Sequence, residues 1–370
     1  PGYISSRGAG WPFAGVEDIL NRGDILLANL ECVISNTGSL FDKGGRRPFH
    51  YRGHPMVINT LADKGFTVVT TANNHAMDYG IEALLEQNEM LDFCHIAHPG
   101  SGRTPEEAAL PAFIQAGDTV FAVLSIDIET SANFFQEGMG GVNCCSSHDE
   151  AVKRLAAGIA CARRYAHLVI VSPHWGKNWQ ENPSGETRTL ARRIIDLGAD
   201  IILGHSAHIL QGIEIYSGRL IIYDMGSILF DRVLQNRLRF SALFELKCTA
   251  RHFTELIIHP VRLHQGRAVQ AGRDRQYIKE LVAGLTRDLD GSIEFVDSGD
   301  GLHLALPRTE KAFVPEREPQ PEEIYVKDRV RAPSKHYLQR PKACIVSGVP
   351  RDIHMKKKVS MSHGGTFLGA

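Results

Sequence analysis

The chain has 370 residues, which at roughly 100–200 residues per domain is room for two domains or for one large domain with an appendage. Lys and Arg number 41 against 42 Asp and Glu, a formal charge of −1, so no global basic field is available to hold a polyanion, and a nucleic-acid partner is not expected. Apolar residues make up 43%, a globular value, and no uninterrupted apolar run approaches the ~18 residues that span a bilayer, so no transmembrane segment is expected.

In chain order, short apolar runs at 24–30, 66–71, 120–126, 167–171, 200–203, 219–223 and 242–246 read as strands. Between them, 55–64, 81–93, 148–165 and 186–197 carry helical spacing, with Gly65 and Gly198 placed where left-handed helix ends are expected. This alternation predicts an α/β layered domain over residues 1–285, closed by a helix at 274–285. Residues 286–370 change character, with Pro and charge clustered at 307–333 and a Lys356-Lys357-Lys358 run, and are expected to form a small C-terminal appendage or tail. Seven cysteines without a C-x-x-C pair suggest neither a disulfide framework nor a thiolate metal site, and lean towards a reducing, cytoplasmic compartment. Cys144 and Cys145 are expected as unpaired thiols.

The 17 histidines outnumber the 16 phenylalanines, and position matters more than number. Four predicted strands run directly into polar groups: Asn29-Leu30-Glu31, Asn73-Asn74-His75, His174-Trp175-Gly176 and Gly204-His205-Ser206-Ala207-His208. Carboxyl ends of parallel strands meet along one edge of an open sheet, so the four segments converge on one pocket. Imidazole, carboxylate and carboxamide without thiolate is a ligand set for Mn, Fe or Zn. Such ions polarise an ester oxygen and turn water into a nucleophile, which makes hydrolysis the natural chemistry. Neither a phosphate-cradling glycine loop nor a G-x-S-x-G nucleophile elbow is present.

These motifs, together with Ala76-Met77-Asp78-Tyr79-Gly80 and Gln211-Gly212 followed by Glu214, resemble the CapA-type capsule-synthesis proteins. That family is linked to poly-γ-glutamate capsules and falls in the metallophosphatase superfamily of calcineurin-like phosphoesterases. The resemblance spans about residues 10–285. It implies a four-layer α-β-β-α sandwich and a centre of two divalent transition-metal ions. It further implies Glu31, Asn74, His174, His205 and His208 as metal ligands and His75 as the acid that protonates a leaving group. Asn73 joins His75 in the catalytic pair, and Asn29, Asp78, Trp175 and Glu214 complete the site as substrate-binding residues.

Three departures from the family pattern stand out. The chain begins after the strand that usually ends in Gly-Asp, so the fold is expected to lack its first strand; Ser206-Ala207 stand where the family often has His-Pro, and Gly226-Ser227 where it often has Gly-Asn. They imply either a fragment or processed form, or a weakened metal site. The leading expectation is a metal-dependent hydrolase acting on a phosphoester or on an amide of a glutamate polymer. The alternative is a binding or assembly module associated with capsule-synthesis machinery. Family members are often membrane-anchored and external, against the inward lean of the cysteines.

Overall fold

The structure is a computed structural model that describes residues 7–43, 49–128, 135–136, 140–230, 236–249 and 252–306. The expected tail features at 307–333 and 356–358 lie outside the described residues. Its centre is a six-stranded sheet of β3 (Ala112–Ala116), β4 (Thr119–Asp127), β5 (Leu168–His174), β6 (Ile201–Leu203), β7 (Ile213–Tyr216) and β8 (Arg219–Ile222), in the order β7-β8-β6-β5-β4-β3. β4, β5, β6 and β8 run parallel, while β3 and β7 are antiparallel edges. Two further parallel strands, β1 (Leu26–Asn29) and β2 (Phe66–Thr70), form a pair of their own in which Asn29 stands opposite Thr70.

The strand sequences are apolar at successive positions because both faces of the sheet are covered. Val123, Ile170, Ile201 and Ile222 face a second sheet through Leu256 and Ile258. Their neighbours Ala122, Leu124, Val169, Val171, Ile202 and Ile221 pack instead on helices α3 (His148–Arg163) and α4 (Gly185–Asp196), through Leu155, Ile159, Leu190 and Ile194. Each helix starts on a serine whose Oγ accepts a backbone N–H three residues on: Ser147 from Glu150 at 3.2 Å and Ser184 from Thr187 at 3.1 Å. Gly65 and Gly198 have φ of 85° and 110°, as the ends of helices require. Helices α1 (Met56–Asp63) and α2 (Gly80–Phe93) flank the β1–β2 pair, burying Ile58, Leu61 and Leu91 against Leu30 and Val69.

The second sheet is antiparallel: β9 (Phe240–Thr249) pairs along β10 (His252–His264), with β11 (Arg267–Gln270) and β13 (Leu302–Ala305) on the far side of β10 and β12 (Val296–Asp297) beyond β13. Two packed sheets with flanking helices form the layered α/β sandwich that the resemblance implies. Helix α5 (Arg275–Leu289) drops Ile278 and Val282 into the core between the sheets. Thr286 Oγ1 and Asp290 Oδ2 accept the backbone N–H groups of Ile213 (3.2 Å) and Ile215 (3.3 Å), satisfying donors along edge strand β7. The antiparallel sheet continues past residue 285, because β13 pairs with residues 255–258. Composition places 296–305 with the tail, whereas the backbone ladder ties them to β10.

Cys144 and Cys145 are unpaired thiols, as expected, and burial pushes both up to about 12, so the vicinal pair is protonated at neutral pH. Among the described residues, no helix is long and apolar enough to cross a membrane.

Candidate metal centre

The carboxyl ends of β1, β2, β5 and β6 come together. Ser172 Oγ on β5 donates to Thr70 Oγ1 on β2 at 3.4 Å, joining the six-stranded sheet to the β1–β2 pair at this edge. His174 ends β5 and forms an isolated bridge with His205, just beyond β6. Glu31, His174, His205 and His208 therefore come together at this edge.

Each of these side chains is held by a particular neighbour. Asn29 Nδ2 donates to Glu31 Oε2 at 3.1 Å, and Asn29 Oδ1 accepts from Asn73 Nδ2 at 3.0 Å. Asn73 Nδ2 also reaches Leu30 O (2.9 Å), while its Oδ1 accepts the His75 backbone N–H (3.1 Å). Both carboxamides are thus spent on aligning Glu31 and the 73–75 turn. His208 Nδ1 meets Ser227 Oγ at 3.3 Å, so Ser227, one of the departures from the family pattern, serves as a hydrogen-bond partner to a candidate ligand.

The loop carrying His205 and His208 is conformationally strained and locked. Ser206 and His208 have φ of 124° and 59°, in the left-handed region that non-glycine residues avoid. Asp224 holds it there: its carboxylate accepts the Ala207 N–H (2.6 Å) and the Gly226 N–H (2.8 Å). Asp224 is a site residue that the motif reading missed, since a carboxylate that grips backbone amides across a loop has no local spacing to betray it.

The second half of the site centres on His75. Its Nδ1 lies 2.7 Å from Asp78 Oδ2, and the Tyr51 ring sits 4.2 Å from the imidazole between centroids. Asp78 is fully buried, pairs through Oδ1 with Lys43 Nζ, and accepts the Tyr51 N–H at 2.5 Å. Asp78 therefore faces His75 and Lys43 rather than open solvent. Lys43 and Tyr51 approach from a segment without periodic pattern, and the sequence carries no signal for them.

The remaining two expected site residues point elsewhere. Trp175 is buried, donates Nε1–H to Tyr223 O at 2.9 Å and stacks on the Tyr223 ring, so it walls the site from behind. Glu214 on β7 accepts from Tyr223 Oη (2.6 Å) and Arg192 Nε (2.7 Å), and none of its described hydrogen bonds or ion pairs reaches Glu31.

Two observations test whether the residues fit a metal ion. Glu31 Oε1 and Asn74 Oδ1 are buried without a hydrogen-bond partner, the sort of orphan that costs free energy unless something cationic or donating meets it. Glu31 Oε1 stands 3.4 Å from His208 Nε2 and 4.0 Å from His174 Nε2. Among the described residues, no group of three or more His, Cys, Asp or Glu side chains is so placed that it could hold a metal ion, and His174 Nδ1 and His205 Nδ1 lie 2.8 Å apart. In donor chemistry the group suits a borderline divalent cation.

The electrostatics agree with that chemistry. Burial, aided by the neighbouring imidazoles, pushes His174 well below the usual histidine range; burial takes His205 down to about 3 and His208 to about 4, leaving neutral rings with available lone pairs. Burial also pushes the Glu31 carboxyl up to about 7, against the lowering pull of His75 and Lys43. With the folded value above the ordinary one, the stability Glu31 contributes is full below about pH 4.5 and is lost as pH rises through 7. Glu31→Gln, which mimics the protonated acid, is expected to stabilise the metal-free protein at pH 8 by about 2 kcal/mol and to change little at pH 5. Thermal melts at the two pH values check this; an unchanged midpoint at pH 8 would show that the carboxylate bears no burial penalty.

With this geometry in view, comparison with known proteins places the chain. The family model described as bacterial capsule synthesis protein PGA_cap matches residues 3–232. The chain belongs to this family. It is similar to the PGA biosynthesis protein CapA of Bacillus subtilis, with 28% identity over 306 residues covering 80% of this chain and 78% of the relative. It is also similar to a probable polyglutamine synthesis accessory protein of Mycobacterium tuberculosis, with 27% identity over 315 residues covering 80% of this chain and 81% of the relative. A solved structure, a hypothetical protein from Thermus thermophilus, aligns at 16% identity and a TM-score of 0.36 over 71% of this chain and 90% of its own. The NAD nucleotidase of Haemophilus influenzae aligns at 14% identity and a TM-score of 0.37 over 74% of this chain and 56% of its own.

Proposed function

We propose that this PGA_cap family protein is a metal-dependent hydrolase of capsule-polymer metabolism, working alongside capsule-synthesis machinery on a phosphoester substrate. The observation that carries the reading is the convergence of the orphaned acceptor Glu31 Oε1 with the Nε2 atoms of His174 and His208, next to an imidazole held by a buried aspartate. The capsule context comes from the names of its relatives, a PGA biosynthesis protein and a polyglutamine synthesis accessory protein.

A divalent ion held by Glu31, Asn74 and the histidines would polarise the scissile bond and lower the pKa of a bound water. The chain's own groups do the rest. His75 has Nδ1 engaged on Asp78, so Nε2 is the atom left to hold a proton and deliver it to a leaving oxygen. The Tyr51 ring covers one side of that imidazole and keeps water off it. Asn29 and Asn73 fix the Glu31 carboxylate and the backbone of His75, and so set the spacing between the acid and the carboxylate that would hold an ion.

The test is hydrolysis by purified protein supplied with Mn, Fe or Zn, using an aryl phosphodiester and γ-glutamyl oligomers side by side. Metal-stimulated release of the aryl alcohol, reversed by a chelator and lost in His75→Ala, is the expected result. Stimulated cleavage of the oligomers alone would move the substrate class from ester to amide. No stimulation with any of the ions on either substrate would overturn the hydrolase reading and favour an assembly role.

A further inference from the structure

A wall of aromatic rings lies along the candidate site. The Tyr51 ring stands 4.2 Å from the His75 imidazole between centroids, and 6.4 Å from the Phe230 ring, which it meets edge-on at 78°. Phe230 in turn stands 5.5 Å from the His208 ring. Tyr51 and Phe230 thus join the acid half of the site to the loop that carries His208. Phe49 extends the wall outwards: its ring is nearly parallel to that of Tyr51, 19° between planes at 6.4 Å, and it is 70% exposed. Its backbone carbonyl accepts from Lys43 Nζ at 3.3 Å, so the residue is tied to the same ammonium that pairs with Asp78.

The wall differs in kind from the rest of the site. Glu31, Asn29 and Asn73 form a hydrogen-bonded string of a carboxylate and two carboxamides, whereas Tyr51, Phe230 and Phe49 supply apolar ring faces. A proton donor must lie within hydrogen-bond reach of the leaving oxygen. With His75 as that donor, whatever the oxygen carries away starts beside Tyr51 and meets the wall. A single exposed phenylalanine signifies little by itself. Here it continues a row of rings that begins at the acid. A carboxylate-bearing chain laid on the same row would lose hydration with nothing polar in return.

Resting on the hydrolase reading, we infer that Phe49, Tyr51 and Phe230 form a leaving-group subsite, and that the phosphoester cleaved here carries an aromatic ring on its leaving group, with Phe49 as the residue that stacks on it. A matched pair of rings gains more than the burial of its area alone, a factor of about 3–10 in affinity.

The test is equilibrium binding of non-hydrolysable phosphonates to the full chain supplied with Mn. Benzylphosphonate and 3-phenylpropylphosphonate, which hold a ring at the leaving position or further out, are compared with their cyclohexyl counterparts and with methylphosphonate. At least one aromatic probe should bind more tightly than its cyclohexyl counterpart, because the two match in size and differ in the flat π face. Phe49→Ala should remove that preference, weakening the aromatic probe by about 3–10-fold, while methylphosphonate should not distinguish variant from wild type. Phe49→Trp should keep the preference or strengthen it. The Phe49 side chain is mostly in solvent, so both variants should fold, which thermal melts verify. In metal-supplied hydrolysis of the aryl phosphodiester, Phe49→Ala should raise KM by a similar factor rather than lower kcat, the mark of lost uniform binding. Equal affinity for aromatic and cyclohexyl probes, or an aromatic preference that survives Phe49→Ala, would overturn the inference while metal-stimulated hydrolysis stands. Absence of binding by every phosphonate, together with absence of metal-stimulated hydrolysis, would overturn both the inference and the reading beneath it.

Discussion

Asp78→Ala is expected to lower unfolding free energy by about 3–5 kcal/mol, the cost of removing one partner from a buried ion pair. The Asp78 carboxylate is fully buried and serves three groups at once: the Lys43 ammonium, the Tyr51 backbone N–H and the His75 imidazole. Truncation leaves the Lys43 side chain, only 12% exposed, charged and without its counter-ion. It also leaves an amide without an acceptor, which adds a desolvation penalty of its own. Lys43→Met in the same chain removes the stranded charge, so the double variant should be more stable than Asp78→Ala by itself. Denaturant midpoints of the wild type, both single variants and the double variant close the cycle. Strict additivity would mean that the pair is not coupled and that Asp78 acts through the Tyr51 amide and the His75 imidazole. The same variant frees the His75 ring, so turnover should fall even where enough folded protein remains.

This prediction could not have been drawn from the residue pattern. Asn73-Asn74-His75 and Asp78 stand in one short stretch after an apolar run, and that spacing is visible; the partner that makes Asp78 a structural hub, Lys43, comes from a stretch with neither periodicity nor a neighbouring motif. The elements fared better than the contacts. Helices expected at 81–93 and 148–165 occupy Gly80–Phe93 and His148–Arg163, because apolar spacing acts locally and, in the second, so does the Ser147 cap. β10 was invisible as a strand: in Thr254-Glu255-Leu256-Ile257-Ile258-His259-Pro260, polar and apolar residues do not alternate cleanly, since His259 is itself buried against Glu245. At the site, the position of a residue after a strand was legible for Glu31, Asn74, His174, His205 and His208. Which atom each one presents depends on Ser172, Ser227 and Asn29, and hydrogen-bond direction leaves no trace in a sequence.

Gly204→Ala is expected to be at least as damaging as Asp78→Ala, for a reason that ties fold to site. Gly204 follows β6 and has ordinary backbone angles, so conformational freedom is not what the position demands. Space is: a Cβ there would meet Tyr223 O at 2.1 Å and Trp175 Nε1 at 2.6 Å. Neither can retreat cheaply. The Tyr223 carbonyl belongs to backbone next to β8, and the indole N–H is hydrogen-bonded to that same carbonyl. Gly204 is itself clamped on both sides, its N–H donating to Ile222 O at 2.8 Å and its carbonyl accepting the Met225 N–H at 3.1 Å. Overpacking in a well-filled core costs about 1–3 kcal/mol, and a clash with immovable backbone lies at or above the upper end. Relief by sliding β6 would carry His205 with it, break its 2.8 Å contact with His174 and disturb the approach of His174 to Glu31. A Gly204→Ala protein should therefore show a fall of about 3 kcal/mol or more in chemical denaturation, together with loss of metal-stimulated hydrolysis in whatever fraction stays folded. A variant that kept both wild-type stability and metal-stimulated hydrolysis would show that β6 can move without cost, and the clash of a Cβ at Gly204 with immovable backbone would not stand.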